Sequence, residues 1–298
     1  MNIRSTLLHL RIPFSFFLLP IFLFALSVSP NLLLHRMVWI FVILHLLVYP
    51  ASNGYNSYFD KDEKSIGGLR NPPPVFKELY WASLLLDLIA LVLAVVFVST
   101  GFALMILVYG LVSKAYSHPR VRLKRLPIVG WLVTGFFQGF FIFAACFMGL
   151  NKFDLPSLLQ PHILWPAALT SVMLWANYPM TQVYQHEEDA RRGDRTLSLL
   201  LGIRGTFYFT ALFFAAAAFG FVGYFLEYHS GRQAVVFLLS LTPVLVYFGI
   251  WFLKVYKDPS QADFRHTMWL NLISAACLVV FFGWLLFDTR NVGRYLFG

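Results

Sequence analysis

The chain has 298 residues; 59 % are hydrophobic, only 12 % are charged, and the formal net charge is +9. Soluble domains carry roughly 25 % charged residues, so a chain this sparing of charge cannot cover a water-facing surface. An ordinary soluble enzyme, a disordered chain and a nucleic-acid-binding domain are excluded. The basic excess instead fits loops held against anionic lipid.

A helix needs about 20 apolar residues to cross roughly 30 Å of hydrocarbon. Windows of that size predict nine spans in chain order: 12–30, 37–57, 79–99, 101–116, 127–148, 162–184, 205–226, 233–254 and 267–287. The first follows Arg4 and Arg11, and Pro30 stands where a small-residue cleavage site would be expected, so it reads as an uncleaved helix. The fourth is the shortest. Strand-like alternation is absent, which leaves helices as the spanning structure. Cys146 and Cys277 lie inside apolar runs and read as small buried hydrophobes, neither disulfide nor metal pair.

Nine spans put the two ends of the chain on opposite sides. With the N-terminus inside, 18 of the 23 Lys and Arg residues fall on inner segments; the outer five are Arg36, Lys152, Arg232, Arg290 and Arg294. That asymmetry predicts an inner N-terminus and an outer C-terminus, in an expected bacterial inner (plasma) membrane with the N-terminus cytoplasmic. The acids are distributed differently. Seven of the fourteen form two clusters, Asp60, Asp62 and Glu63, then Glu187, Glu188, Asp189 and Asp194, at the inner ends of the second and sixth spans.

The two clusters are related by an internal repeat. Residues 49–60 read YPASNGYNSYFD and residues 178–189 read YPMTQVYQHEED. Tyr49, Pro50, Tyr55 and Asp60 match Tyr178, Pro179, Tyr184 and Asp189, while Ser52, Asn53 and Asn56 face Thr181, Gln182 and Gln185. The expected architecture is therefore one all-α domain of two four-helix units plus a final helix around a central cavity. Tyr49, Asn53, Asn56, Asp60 and Glu63 step by helical intervals, as do Tyr178, Gln182, Gln185 and Asp189. Polar stripes are costly against lipid, so both should face the cavity. Pro50 and Pro179 are expected to kink their helices beside it.

Carboxylate and amide oxygens suit a hard cation, and Mg²⁺ completes its shell with water and substrate phosphates. Asn56, Asp60 and Glu63 offer one predicted half-site; Gln185, Glu188 and Asp189 offer the other. The intervening loop Lys114–Arg125 holds five basic residues and, with Arg70, suits a polyanion such as diphosphate. Asp87, Gln138 and Asn271 are lone polar groups in spans and read as helix-to-helix contacts, although an acid such as Asp87 is also a functional candidate. The Phe-rich run 136–143 can put only part of its rings toward a channel.

On these residues the chain resembles the UbiA-type intramembrane prenyltransferase superfamily. Asn56-Ser-Tyr-Phe-Asp60 is similar to the first half of its N-x-x-x-D-x-x-x-D motif, and Tyr116-Ser117 with Arg122-Leu-Lys-Arg-Leu-Pro127 to its Tyr-Ser…Leu-Lys segment. Glu187–Leu197, followed by Leu201-Gly202, is similar to the segment holding its second Asp-rich motif. Two positions depart: Lys64 stands where the first motif has its second Asp, and Gln185 where the second has its first acid. The resemblance implies Mg²⁺ as cofactor and a prenyl diphosphate donor, with a lipophilic, aromatic or quinone-precursor acceptor reached from membrane lipid. Asp60, Asp189 and Tyr116 would be catalytic, and Arg70, Arg122 and Lys124 would hold diphosphate. A transporter built on the repeat and a non-catalytic prenyl-lipid binder are the alternatives. The first requires access from both faces, the second binding without turnover.

Overall fold

The computed structural model describes residues 2–151 and 155–289. Lys152, Arg290 and Arg294, assigned above to the outer side, lie outside the described residues. Ten helices follow in order: α1 Ile3–Val28, α2 Leu34–Asp60, α3 Glu78–Phe97, α4 Thr100–Ser117, α5 Pro127–Asn151, α6 Pro161–Asn177, α7 His186–Arg192, α8 Leu197–Tyr228, α9 Gly231–Lys257 and α10 Phe264–Thr289. Among the described residues the one extended pairing is an isolated bridge between Ile66 and Leu69. Eight of the helices are long and apolar enough to cross a membrane. The sixth predicted span corresponds to α6, which has 17 residues and continues only through a 3₁₀ turn at Tyr178–Thr181. The predicted 162–184 helix is thus broken near its end.

The long helices form a ring, each packing on its chain neighbour, with α6 against α8 and α10 closing back on α1. Outward faces are apolar. On α3, Leu85, Leu88, Val92, Val95 and Val96 are exposed; these recur at the intervals of one helix face, as lipid contact demands. At the end of the ring away from Asp60, α1 also meets α5, and Phe24 fills the centre. Its ring stacks on Phe282 at 4.4 Å and packs on Phe143 and Phe221 at 5.4 and 5.5 Å.

Three local departures from helix geometry shape the cavity. In α1, Arg11 takes a left-handed conformation (φ 48°) just before Ile12 and Pro13. Pro13 cannot donate to His9, so the helix restarts as a 3₁₀ turn. In α2, a π-helical stretch at Val42–Val48 precedes Pro50 and absorbs its missing N–H. In α5, another π-helical turn at Phe136–Phe141 meets α6: Ser171 donates to the Gly135 carbonyl at 2.9 Å and accepts from the Phe140 amide at 3.0 Å. A Cβ on Gly139 would lie 2.6 Å from the Ser171 backbone nitrogen, so only glycine allows this approach.

Candidate active site

The first polar stripe survives intact as far as Asp60. Tyr49, Asn53, Asn56 and Asp60 lie on α2, and Asn53, Asn56 and Asp60 line a cavity of about 270 Å³. The stripe does not extend to Glu63. Lys61 adopts a left-handed conformation (φ 49°) and ends the helix, so Glu63 points out to solvent; its backbone amide donates to Glu188 Oε1 at 3.1 Å. Asp62 takes the inward position instead, 9 % exposed and on the cavity wall.

The second stripe reaches the cavity by another route. Pro179 lacks an N–H for the Trp175 carbonyl, which accepts from Trp131 Nε1 at 2.9 Å. The chain then passes through the Tyr178–Thr181 turn and restarts as α7. Tyr178, Gln182, Gln185 and Asp189 nonetheless all line the cavity. Glu188 is buried but off the lining, with Oε2 unpartnered. Lys64, at the first motif departure, is on the exposed surface in an ion pair with Glu187 at 2.6 Å. Gln185, at the second, faces the cavity and donates weakly to the Ser65 carbonyl at 3.4 Å.

At the cavity mouth, carboxylates and cations alternate. Arg122, also left-handed in backbone (φ 46°), clasps Asp194 through two bonds of 2.8 Å and reaches Asp60 at 3.5 Å. Lys124 pairs with Asp60 and stands 4.0 Å from Asp194. Arg192 pairs with Asp62 and lies 3.2 Å from Asp189 and 3.8 Å from Asp194. Burial pushes the Asp189 carboxyl up to about 6 against the pull of Arg192 and Lys124. Burial and the nearby Asp60 likewise raise Asp62. The bonds to Asp194 hold Arg122 more firmly charged than a free guanidinium. This is the signature of carboxylates kept close together in poor solvent.

Below this cluster Asn56 donates to Ser117 Oγ at 2.9 Å, and the Tyr116 and Tyr178 hydroxyls are hydrogen-bonded to each other. Tyr109 and Phe137 add aromatic wall, and a second chamber of about 110 Å³ continues past Tyr49 to Leu18, Leu174 and Asn271. Of the predicted residues, Asn56, Asp60, Tyr116, Lys124, Gln185 and Asp189 come together on the lining, with Arg122 bonded to them from behind. Glu63, Glu188 and Arg70 do not; Arg70 lies in a separate groove.

The sequence reading missed Arg192, which had been counted only as a topology charge, and Arg11, whose buried guanidinium lines the cavity and donates to the Gly67 carbonyl at 3.0 Å. Gln138, expected as interhelical glue, also lines the cavity, whereas Asn271 does bond across helices, accepting from Asn177 at 3.1 Å. Asp87 is paired with Lys114 between α3 and α4. Of the Phe-rich run, Phe137 reaches the cavity while Phe136 is exposed.

A ring of membrane helices around an acid–base cavity defines an integral membrane protein with a buried, charge-lined site. The UbiA prenyltransferase family pattern matches residues 14–273, and the chain belongs to that family, whose members transfer prenyl groups. Among curated protein sequences none matches the chain. Solved structures do. A UbiA homolog from Archaeoglobus fulgidus bound to DMAPP and Mg²⁺ is 16 % identical, with a TM-score of 0.67 over 95 % of this chain and 99 % of that one. The same homolog bound to GPP and Mg²⁺ gives the same identity, TM-score and coverage. The apo form of a UbiA homolog from Aeropyrum pernix K1 is 18 % identical, with a TM-score of 0.68 over 90 % of this chain and 98 % of that one.

Proposed function

We propose that the chain transfers an isoprenyl group, with Mg²⁺, from a prenyl diphosphate to a lipophilic acceptor, an aromatic ring of the quinone-precursor type. The observation that carries this reading is the convergence of both repeated stripes on one cavity with a charged mouth and an aromatic interior. The Archaeoglobus fulgidus homolog, bound to DMAPP or GPP with Mg²⁺, lends support.

The donor set fits the metal. Asp60, Asp62 and Asp189 supply carboxylate oxygens and Asn56 and Gln185 amide oxygens, all hard ligands. Mg²⁺ bound there supplies Lewis-acid stabilisation of the diphosphate leaving group. Lys124, Arg122 and Arg192 lie within reach of the same carboxylates, so they can turn from carboxylate to phosphate oxygens without crossing the site. In the transfer the C1–O bond of the donor breaks, its electron pair leaves on diphosphate, the new bond to the acceptor forms at C1, and the proton the acceptor loses passes to the departing diphosphate. Tyr116 and Tyr178, hydrogen-bonded to each other on the cavity lining, could orient the diphosphate bridge oxygen by hydrogen bonding. Aromatic faces at Tyr109 and Phe137 suit the allylic cation. The buried Phe24 cluster would help keep water from the far end.

We also assign the acid-bearing end to the cytoplasmic side of a bacterial plasma membrane, as the distribution of basic residues supports. The test is incubation of purified protein with Mg²⁺, labelled prenyl diphosphates and a panel of aromatic acceptors. Prenylated product supports the reading. Absence of both transfer and Mg²⁺-dependent diphosphate binding refutes it, and tight binding without turnover on any acceptor identifies a non-catalytic binder.

A further inference from the structure

Arg70 was expected at the diphosphate, yet it lines a groove of about 520 Å³ that shares no residue with the cavity. The groove runs between the loop after α2 and the start of α10. Ser65 Oγ donates to the Arg70 carbonyl at 2.7 Å and fixes the turn that presents Arg70, while the Gly68 amide contacts Met268 sulfur at 3.4 Å and ties the loop to α10. Across from Arg70 stands Arg265, in the first turn of α10. Neither guanidinium has a carboxylate partner among the described residues, and both are exposed. The one acid in the groove, Asp263, is engaged through Oδ1 by the His266 amide at 2.8 Å and ring nitrogen at 2.9 Å.

The apolar part of the groove follows from helix spacing. Arg265, Trp269 and Leu272 step by four and three along one face of α10. Trp269 is 48 % and Leu272 41 % exposed. A second cleft, of about 360 Å³, shares Arg265 and Trp269 and adds Lys254 and Tyr247 on its other wall. Basic groups thus gather at the helix end, an indole stands below them and aliphatic surface continues along the span. An indole settles at headgroup level and arginines pair with phosphate, so this order matches a lipid from head to tail.

We propose that this groove binds an anionic glycerophospholipid, its phosphate between Arg70 and Arg265 and an acyl chain along Trp269 and Leu272. Each basic group near an anionic surface contributes enough that losing both should weaken binding by about thirtyfold. Native mass spectrometry of the full chain, titrated with phosphatidylglycerol or phosphatidylcholine in mixed micelles, reads this directly. Wild-type protein should retain phosphatidylglycerol selectively, and the Arg70→Gln/Arg265→Gln double variant should lose that selectivity. A photoactivatable phosphatidylglycerol should cross-link wild-type protein within residues 263–272, a readout that needs no variant. Equal retention of the two lipids, cross-links confined to other segments, undiminished binding by a folded double variant, or inorganic phosphate binding as tightly as the lipid would each overturn the proposal.

Discussion

Replacing Arg192 with Gln removes one cation from contact with two buried carboxylates, Asp62 and Asp189, and from the neighbourhood of Asp194. Asp189 already titrates at about 6, with burial raising it and Arg192 foremost among the groups lowering it. An adjacent opposite charge lowers a carboxyl by about 1–3 units, so its loss should lift Asp189 to roughly 7–9. For a rise of about two units the ionised fraction at pH 7 falls from about nine-tenths to about one-tenth. Mg²⁺-dependent prenyl diphosphate binding at pH 7 should then weaken about tenfold for this carboxylate alone, and recover toward pH 9. Titration calorimetry across pH 6–9, on wild type and variant in the same detergent, measures the shift. Infrared absorption of protonated carboxyls should grow at pH 7 in the variant. Stability carries the matching sign: between about 3.8 and about 6 the folded chain holds a proton on Asp189 that the unfolded chain has released. Wild-type stability attributable to Asp189 therefore falls as pH rises through that window. A variant whose binding profile superimposes on that of wild type, with no new protonated carboxyl, would refute the assigned role of Arg192.

Asp60→Asn and Asp189→Asn should each reduce Mg²⁺-dependent diphosphate binding by about a hundredfold or more, since on the proposed assignment a charge-bearing metal ligand becomes neutral; chelation of Mg²⁺ should reproduce the loss in wild type. Gln185→Asp adds a carboxylate to the lining and should lower the Mg²⁺ concentration for half-maximal binding, a titration that would show no change if Gln185 stays off the metal. Gly139→Ala forces a methyl against the Ser171 backbone and should cost about 1–3 kcal/mol as overpacking, visible as a lower melting temperature in detergent. Lys61→Gly relieves a left-handed residue at the α2 terminus and should leave stability unchanged or raise it by up to about 1 kcal/mol, with turnover preserved.

The span pattern was legible because lipid enforces it: long apolar runs and a basic asymmetry are the direct imprint of a bilayer on composition. The paired stripes were legible because polar groups survive in spans only where they face protein or a cavity. What helical spacing could not show is where a helix stops. Glu63 lies on the stripe only if α2 continues past Asp60, and Lys61, a residue with no turn preference, ends it. Pro50 and Pro179 look equivalent in sequence, but a π-helical stretch accommodates the first whereas the second follows the end of α6, because the neighbouring Trp131 satisfies the freed carbonyl there. Arg11 and Arg192 were hidden for a different reason. A basic residue at the inner end of a span is already explained by topology, so its burial in the site adds no further mark to the sequence.

The closed network at the mouth bears on how one site can hold both a metal and a diphosphate in a medium hostile to charge. Four aspartates in poor solvent would repel one another, and burial alone would push them toward the neutral form. Arg122, Lys124 and Arg192 offset that by standing among the carboxylates, and the carboxylates in turn satisfy guanidinium and ammonium groups that lipid could not. A metal–diphosphate pair carries both signs of charge. Its entry would exchange carboxylate–cation contacts for carboxylate–metal and cation–phosphate contacts, which would keep the buried charges compensated. The exchange requires the two signs to arrive together. Metal alone would compete with three fixed cations for the same carboxylates, and diphosphate alone would compete with the carboxylates for the same cations. Binding of Mg²⁺ and prenyl diphosphate should therefore be strongly cooperative, and by reciprocity each should raise the affinity for the other by the same factor.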